Sequence, residues 1–133
     1  MPLVRVTMIK GKSPEYIKQL SQSIYETLVE AYLMPENDMF QIIEQLELGS
    51  LIYDRRFGID GERSDDFVLI NIESDARRRD EKQTFVARLV EKLAASPGLS
   101  PDDVFVRLSA NTVMDDWSFG SGKVASDIEY PAA

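Results

Sequence analysis

The chain contains no histidine and no cysteine. Composition therefore removes the commonest general base, the commonest metal ligand, thiol nucleophiles and disulfides. Proton-transfer chemistry is left to carboxylates, Lys, Tyr, Arg or the chain terminus. The terminus reads Met1-Pro2. Methionine before a small second residue is normally removed, which leaves a secondary amine on Pro2. An α-amino group titrates nearer neutrality than a lysine, and burial or nearby cations lower it further. Such an amine can shuttle protons at neutral pH. Read alone, Met-Pro is also an ordinary way for a chain to begin.

Three other segments carry candidate chemistry. Ser74-Asp75-Ala76-Arg77-Arg78-Arg79 is expected between a strand end and a helix start, where guanidinium groups and a helix N-terminus favour a carboxylate. It is equally a solvated charged turn. Pro35-Glu36-Asn37-Asp38 precedes a strand and offers an acid able to activate water or polarise a carbonyl; it also reads as a plain Asx-type turn. Asp116-Trp117-Ser118-Phe119-Gly120 sets two aromatics one residue apart outside a regular element, which suits a pocket wall or a tail packed on the core. No Asp/Glu spacing resembles a metal loop.

With 133 residues the chain is expected to form one domain with one core, and its net charge of −8 argues against a nucleic-acid partner. No apolar run approaches the length of a membrane span, and the first residues lack the pattern of a signal peptide. The expectation is a cytoplasmic protein with no membrane partner.

The elements that must hold these residues follow from periodicity. Residues 2–9 alternate as a strand. Ser13-Pro14 opens a helix as N-cap and first residue, and Ile17, Leu20, Ile24, Leu28 and Ala31 continue it to about Leu33. Strands are expected at 39–46, 67–73 and 104–108, and a second helix at 80–95, ended by Pro97-Gly98. Residues 49–66 form a polar connection with room for a short hairpin, and 111–133 form a tail. The order is β-α-β, link, β-α-β, a pseudo-repeat of 2–48 and 66–110. It predicts an α+β fold: a four-stranded sheet with two helices on one face and right-handed crossovers. The second face is expected to be apolar and covered by association of copies.

Pro2 opening a strand, Met34-Pro35-Glu36-Asn37-Asp38-Met39-Phe40-Gln41-Ile42, and Asn111-Thr112 followed by Asp116-Trp117-Ser118-Phe119-Gly120-Ser121-Gly122-Lys123 resemble the tautomerase superfamily. Within it they resemble the malonate semialdehyde decarboxylase-like group. With the duplicated β-α-β pattern the resemblance spans nearly the whole chain. It implies a 4-oxalocrotonate tautomerase/macrophage migration inhibitory factor-like homotrimer with the amino-terminal proline in a pocket near a subunit boundary. It further implies Pro2 as general base or acid, Asp38 as the water- or carbonyl-directing acid, Arg77 as the carboxylate-binding arginine, and Trp117 and Phe119 as an apolar wall. Asp75 departs from the pattern, because decarboxylases of this type carry an arginine there. In a substrate pocket Asp75 would oppose a second carboxylate.

The expected activity is cofactor-independent tautomerisation of a small 2-oxo acid or its enol. Alternatives are a malonate semialdehyde-type decarboxylase or hydratase, and a non-catalytic trimer that binds a small acid or a protein.

Overall fold

The computed structural model describes residues 1–128; the last five positions of the expected tail lie outside the described residues. Four strands and two long helices occur in the order β1 (Leu3–Ile9), α1 (Pro14–Ala31), β2 (Gln41–Leu46), β3 (Val68–Asp75), α2 (Arg79–Ala95) and β4 (Val104–Thr112). Strand order in the sheet is β2-β1-β3-β4. β1 runs parallel to β2 and β3 parallel to β4, while the central pair β1/β3 is antiparallel. These are two β-α-β units joined side by side, as the sequence order predicts.

Local chemistry starts and stops each element. Ser13 Oγ accepts the Tyr16 amide at 3.1 Å, and Pro14 occupies the first helical position, where no hydrogen-bond donor is needed. α1 stops at Ala31, earlier than the spacing suggests, because Leu33 adopts a left-handed φ of 55° and the amides of Tyr32 and Met34 both fold back onto the Leu28 carbonyl. α2 opens with the Arg78 amide donating to Glu81 Oε1 at 2.9 Å, which satisfies one free donor at the helix start. β4 extends to Thr112, well past the expected Leu108. A register irregularity between Glu73 and Asp75 lets the strand pair continue, with Thr112 opposite Asp75.

Alternation sorts the sheet into two faces. Val4, Val6, Met8, Val68, Ile70 and Ile72 point towards the helices and are buried against Leu20, Ile24, Leu28, Phe85, Leu89 and Leu93. The opposite face is not the apolar surface anticipated. Its cross-strand rows are Glu44–Thr7–Leu69–Phe105, Ile42–Arg5–Asn71–Arg107 and Leu3–Glu73–Ser109. Apolar and charged side chains are interleaved there, and Arg5 is paired with Glu44 at 3.0 Å.

Residues 47–67 contain no strand. The segment still doubles back: the Arg63 amide donates to the Arg55 carbonyl at 2.8 Å, and Arg55 Nη1 to the Arg63 carbonyl at 3.2 Å. Its return is anchored by the buried Asp103, whose carboxylate accepts both the amide and the hydroxyl of Ser64.

Candidate active site

A cleft of about 170 Å³ lies at the start of β1, lined by Met1, Pro2, Leu3, Asp38, Phe40, Trp117, Ser118 and Phe119. Three separate segments meet there: the terminus, the turn before β2, and the chain after β4. Parallel pairing of β1 with β2 brings the first two together, since the Val4 amide bonds to the Phe40 carbonyl at 3.0 Å.

The terminal amine and Asp38 are in contact. The ammonium nitrogen of Met1 lies 2.6 Å from Asp38 Oδ2, and both side chains are almost fully buried. Met1 itself is 3% exposed, so in the unprocessed chain its side chain fills space beside Pro2. The turn that carries Asp38 is held from α1: Tyr25 Oη accepts the Asn37 amide at 2.9 Å, with Asn37 in a left-handed conformation. Asp38 closes the turn through its own amide to the Pro35 carbonyl at 3.3 Å.

The aromatic wall is built after β4. A short 3-10 turn over Met114–Asp116 is capped by Asp116 Oδ2, which accepts the Val113 amide at 2.9 Å. Trp117 follows. Its indole Nε1 donates to Thr112 Oγ1 at 2.9 Å, and its carbonyl accepts the Ala125 amide at 2.8 Å. Beyond Phe119 the chain turns sharply through Gly120 at φ 127°, a conformation that glycine adopts without strain.

Pro2, Asp38, Trp117 and Phe119 are thus gathered at one cleft. Arg77 and Asp75 are not among the lining residues. The Arg77 side chain is 5% exposed and spent within the protein. Its Nε and Nη2 donate to the Tyr32 carbonyl at 3.0 and 2.9 Å, its Nη1 reaches the carbonyls of Asp75 and Ala76, and its guanidinium lies over the Tyr32 ring. Nη1 also lies 3.0 Å from Asp75 Oδ1. That oxygen has no well-aligned hydrogen bond, so the contact is ionic attraction more than directed bonding. The donors of Arg77 serve a helix end and an internal acid in this structure. Arg78 and Arg79, the rest of the run, lie where α2 begins, and Arg78 pairs with Asp80 in solvent.

Sequence reasoning gave no role to Leu3, Phe40, Tyr25 or Thr112. Phe40 carried a usable signal, an aromatic just after an acid at a strand start. The contacts of Tyr25 and Thr112 depend on how elements pack and leave no local trace. Among the described residues no group of three Asp or Glu side chains could hold a metal ion, and no helix is long and apolar enough to cross a membrane.

Comparison with known proteins shows the family and the fold. Profiles of the tautomerase enzyme family match residues 38–120 and residues 2–64. The chain is 31% identical over 92% of its length to YusQ of Bacillus subtilis strain 168, named a probable tautomerase, and covers 96% of that protein. It is 32% identical over 92% of its length to YrdN of the same organism, also named a probable tautomerase, and covers 94% of it. Among solved structures, a malonate semialdehyde decarboxylase superposes with a TM-score of 0.85 at 31% identity, covering 91% of this chain and 92% of that one. A fused 4-OT symmetric trimer shares the fold, with a TM-score of 0.73 at 21% identity over 93% of this chain and 96% of that one. With profiles, relatives and fold in agreement over nearly its full length, the chain belongs to the tautomerase family.

Proposed function

We propose that the processed protein is a tautomerase in which the secondary amine of Pro2 moves a proton between the enolic oxygen and a carbon of a small 2-oxo acid. The observation that carries this reading is the 2.6 Å contact between the terminal ammonium and Asp38 in the cleft. Removal of Met1 shifts the terminus by one residue, about 3.8 Å along the chain, and leaves Pro2 as the amine facing the same carboxylate.

In the forward direction the Pro2 nitrogen accepts the enolic O–H proton as its lone pair forms the N–H bond. The electron pair left on oxygen becomes the carbonyl, and the double bond swings towards the neighbouring carbon. That carbon takes the proton from the prolyl ammonium, which restores the free amine. Asp38 stabilises the ammonium between the two transfers. Trp117, Phe119, Phe40 and Leu3 exclude water and accept an apolar substituent. Among the described residues no Lys or Arg lines the cleft, and a carboxylate does. An aryl or alkyl 2-oxo acid therefore suits it better than a dicarboxylate, which would set a second anion against Asp38.

A decarboxylase or hydratase reading rests on the similarity to malonate semialdehyde decarboxylase, with Asp38 directing water. The pairing of Arg77 with Asp75 weighs against it, since it removes a cation that would hold the substrate carboxylate.

We also propose a homotrimer. The half-exposed Ile42, Leu69 and Phe105 on the uncovered sheet face support association, and the fused 4-OT relative is named a symmetric trimer.

The test compares processed and Met1-retained protein, both verified by intact mass, on phenylenolpyruvate and 2-hydroxymuconate. Processed protein should ketonise phenylenolpyruvate with the higher kcat/KM of the two substrates, and Met1-retained protein should be nearly inactive. Equal rates from the two forms would remove Pro2 from the mechanism.

A further inference from the structure

One hydroxyl ties the aromatic wall of the cleft to the end of the sheet. Thr112 Oγ1 accepts the Trp117 indole N–H at 2.9 Å and donates to the Ser74 carbonyl at 2.6 Å. The direction of both bonds follows from the groups themselves. An indole nitrogen can only donate and a carbonyl can only accept, so the single hydroxyl proton is committed to Ser74 and a lone pair to Trp117. The relay falls where the β3/β4 register shifts between Glu73 and Asp75. At such a bulge the ladder leaves a backbone group without its regular partner, and the Thr112 hydroxyl supplies one for the buried Ser74. Tryptophan has two rotatable side-chain bonds, and among the described residues the indole N–H bond is the one hydrogen bond made by this half-exposed side chain.

We propose that Thr112 is a positioning residue for the tautomerase reaction: through the Trp117 N–H it holds the indole as a wall of the cleft that Pro2 also lines, and so sets affinity for apolar enol acids. The inference rests on the tautomerase reading for its kinetics but not for its spectroscopy. Trp117 is the sole tryptophan of the chain, so intrinsic fluorescence reports this one wall.

Substituting Thr112→Val keeps the shape and removes both bonds; Thr112→Ser keeps the hydroxyl. The wall binds ground state and transition state alike, so its loosening should appear in KM. Thr112→Val should raise KM for phenylenolpyruvate about tenfold, the equivalent of one neutral hydrogen bond, with kcat nearly unchanged. Thr112→Ser should restore the wild-type value. Emission of Thr112→Val should move to the red and become more accessible to acrylamide. Trp117→Phe, which retains an aromatic ring without the N–H, should raise KM similarly, and Thr112→Val should add nothing in that background.

Unchanged KM and emission in Thr112→Val would overturn the proposal. So would a Thr112→Val effect of the same size in the Trp117→Phe background, which would assign the residue to the Ser74 bond alone. If Thr112→Val does not fold, a wild-type KM for Trp117→Phe overturns it independently. If processed wild-type protein turns over no enol acid, the tautomerase reading fails. Quenching of Trp117 emission by phenylpyruvate then supplies the affinities in place of KM, and a Thr112→Val affinity equal to wild type still overturns the positioning role.

Discussion

Asp75 and Arg77, two residues apart at the end of β3, face each other with Oδ1 3.0 Å from Nη1, and the arginine's remaining donors close on the carbonyl that ends α1. An arginine two residues from a strand end would be free to meet a ligand if nothing nearby competed for it. Here an internal carboxylate and an unsatisfied helix carbonyl both compete, and a buried guanidinium settles where most of its donors find acceptors. Among the described residues the cleft at Pro2 is lined by no arginine.

This arrangement predicts a division of effects. Arg77→Ala should lower stability by about 1–3 kcal/mol, the cost of leaving the Tyr32 carbonyl without its donors, read as a lower midpoint in urea. Its effect on KM should be smaller than that of Trp117→Phe. Asp75→Ala should leave KM for a carboxylate-bearing 3-oxo acid such as malonate semialdehyde near wild type, because the carbonyls of Tyr32, Asp75 and Ala76 still hold the guanidinium. A large rise in KM for Arg77→Ala at unchanged stability would place the guanidinium in substrate binding after all.

Tyr25 should matter to catalysis although it does not line the cleft. Its hydroxyl oxygen accepts the Asn37 amide and pins the turn that presents Asp38. Tyr25→Phe removes that acceptor at a cost of about 1 kcal/mol to the turn. The expected outcome is faster hydrogen exchange at the Asn37 amide and a severalfold fall in kcat for phenylenolpyruvate. Wild-type exchange at Asn37 would show that the turn holds itself.

One pH dependence follows from Lys12. Its ammonium is pushed above the ordinary lysine range, chiefly by its hydrogen bond to Asp66 and against the effect of burial. A raised folded-state value means that the pair's contribution is complete below the unfolded lysine value of about 10.4 and is lost as pH rises through the folded value. The pair is partly solvated, so the contribution is small, about 0.5 kcal/mol. Wild type should exceed Asp66→Asn in thermal midpoint at pH 8, and the gap should narrow as pH rises above the ordinary lysine range. A gap that widens with pH would contradict the assignment.

The sequence by itself determined the elements, because their causes are local. Ser13 and Pro14 start α1 whatever surrounds them. The alternation of Val4, Val6 and Met8 with Arg5 and Thr7 turns one strand face towards a core. The order of strands and helices then leaves few topologies. Resemblance in the segments around Asp38 and Trp117 pointed to the cleft, and the fold brings those segments together beside Pro2.

Only the tertiary structure decided where side chains with several available partners would settle. Arg77 could face solvent, ligand or protein, and the choice fell to the end of α1, which packing places beside it. Thr112 could end a strand or extend one, and the β3/β4 bulge made it the link between Ser74 and Trp117. The uncovered sheet face could be apolar or mixed, and pairing across four strands set Arg5, Asn71 and Arg107 in one row beside Ile42. Each outcome depends on groups brought together from distant parts of the chain, and the energies that select among them arise only once the sheet and helices have packed.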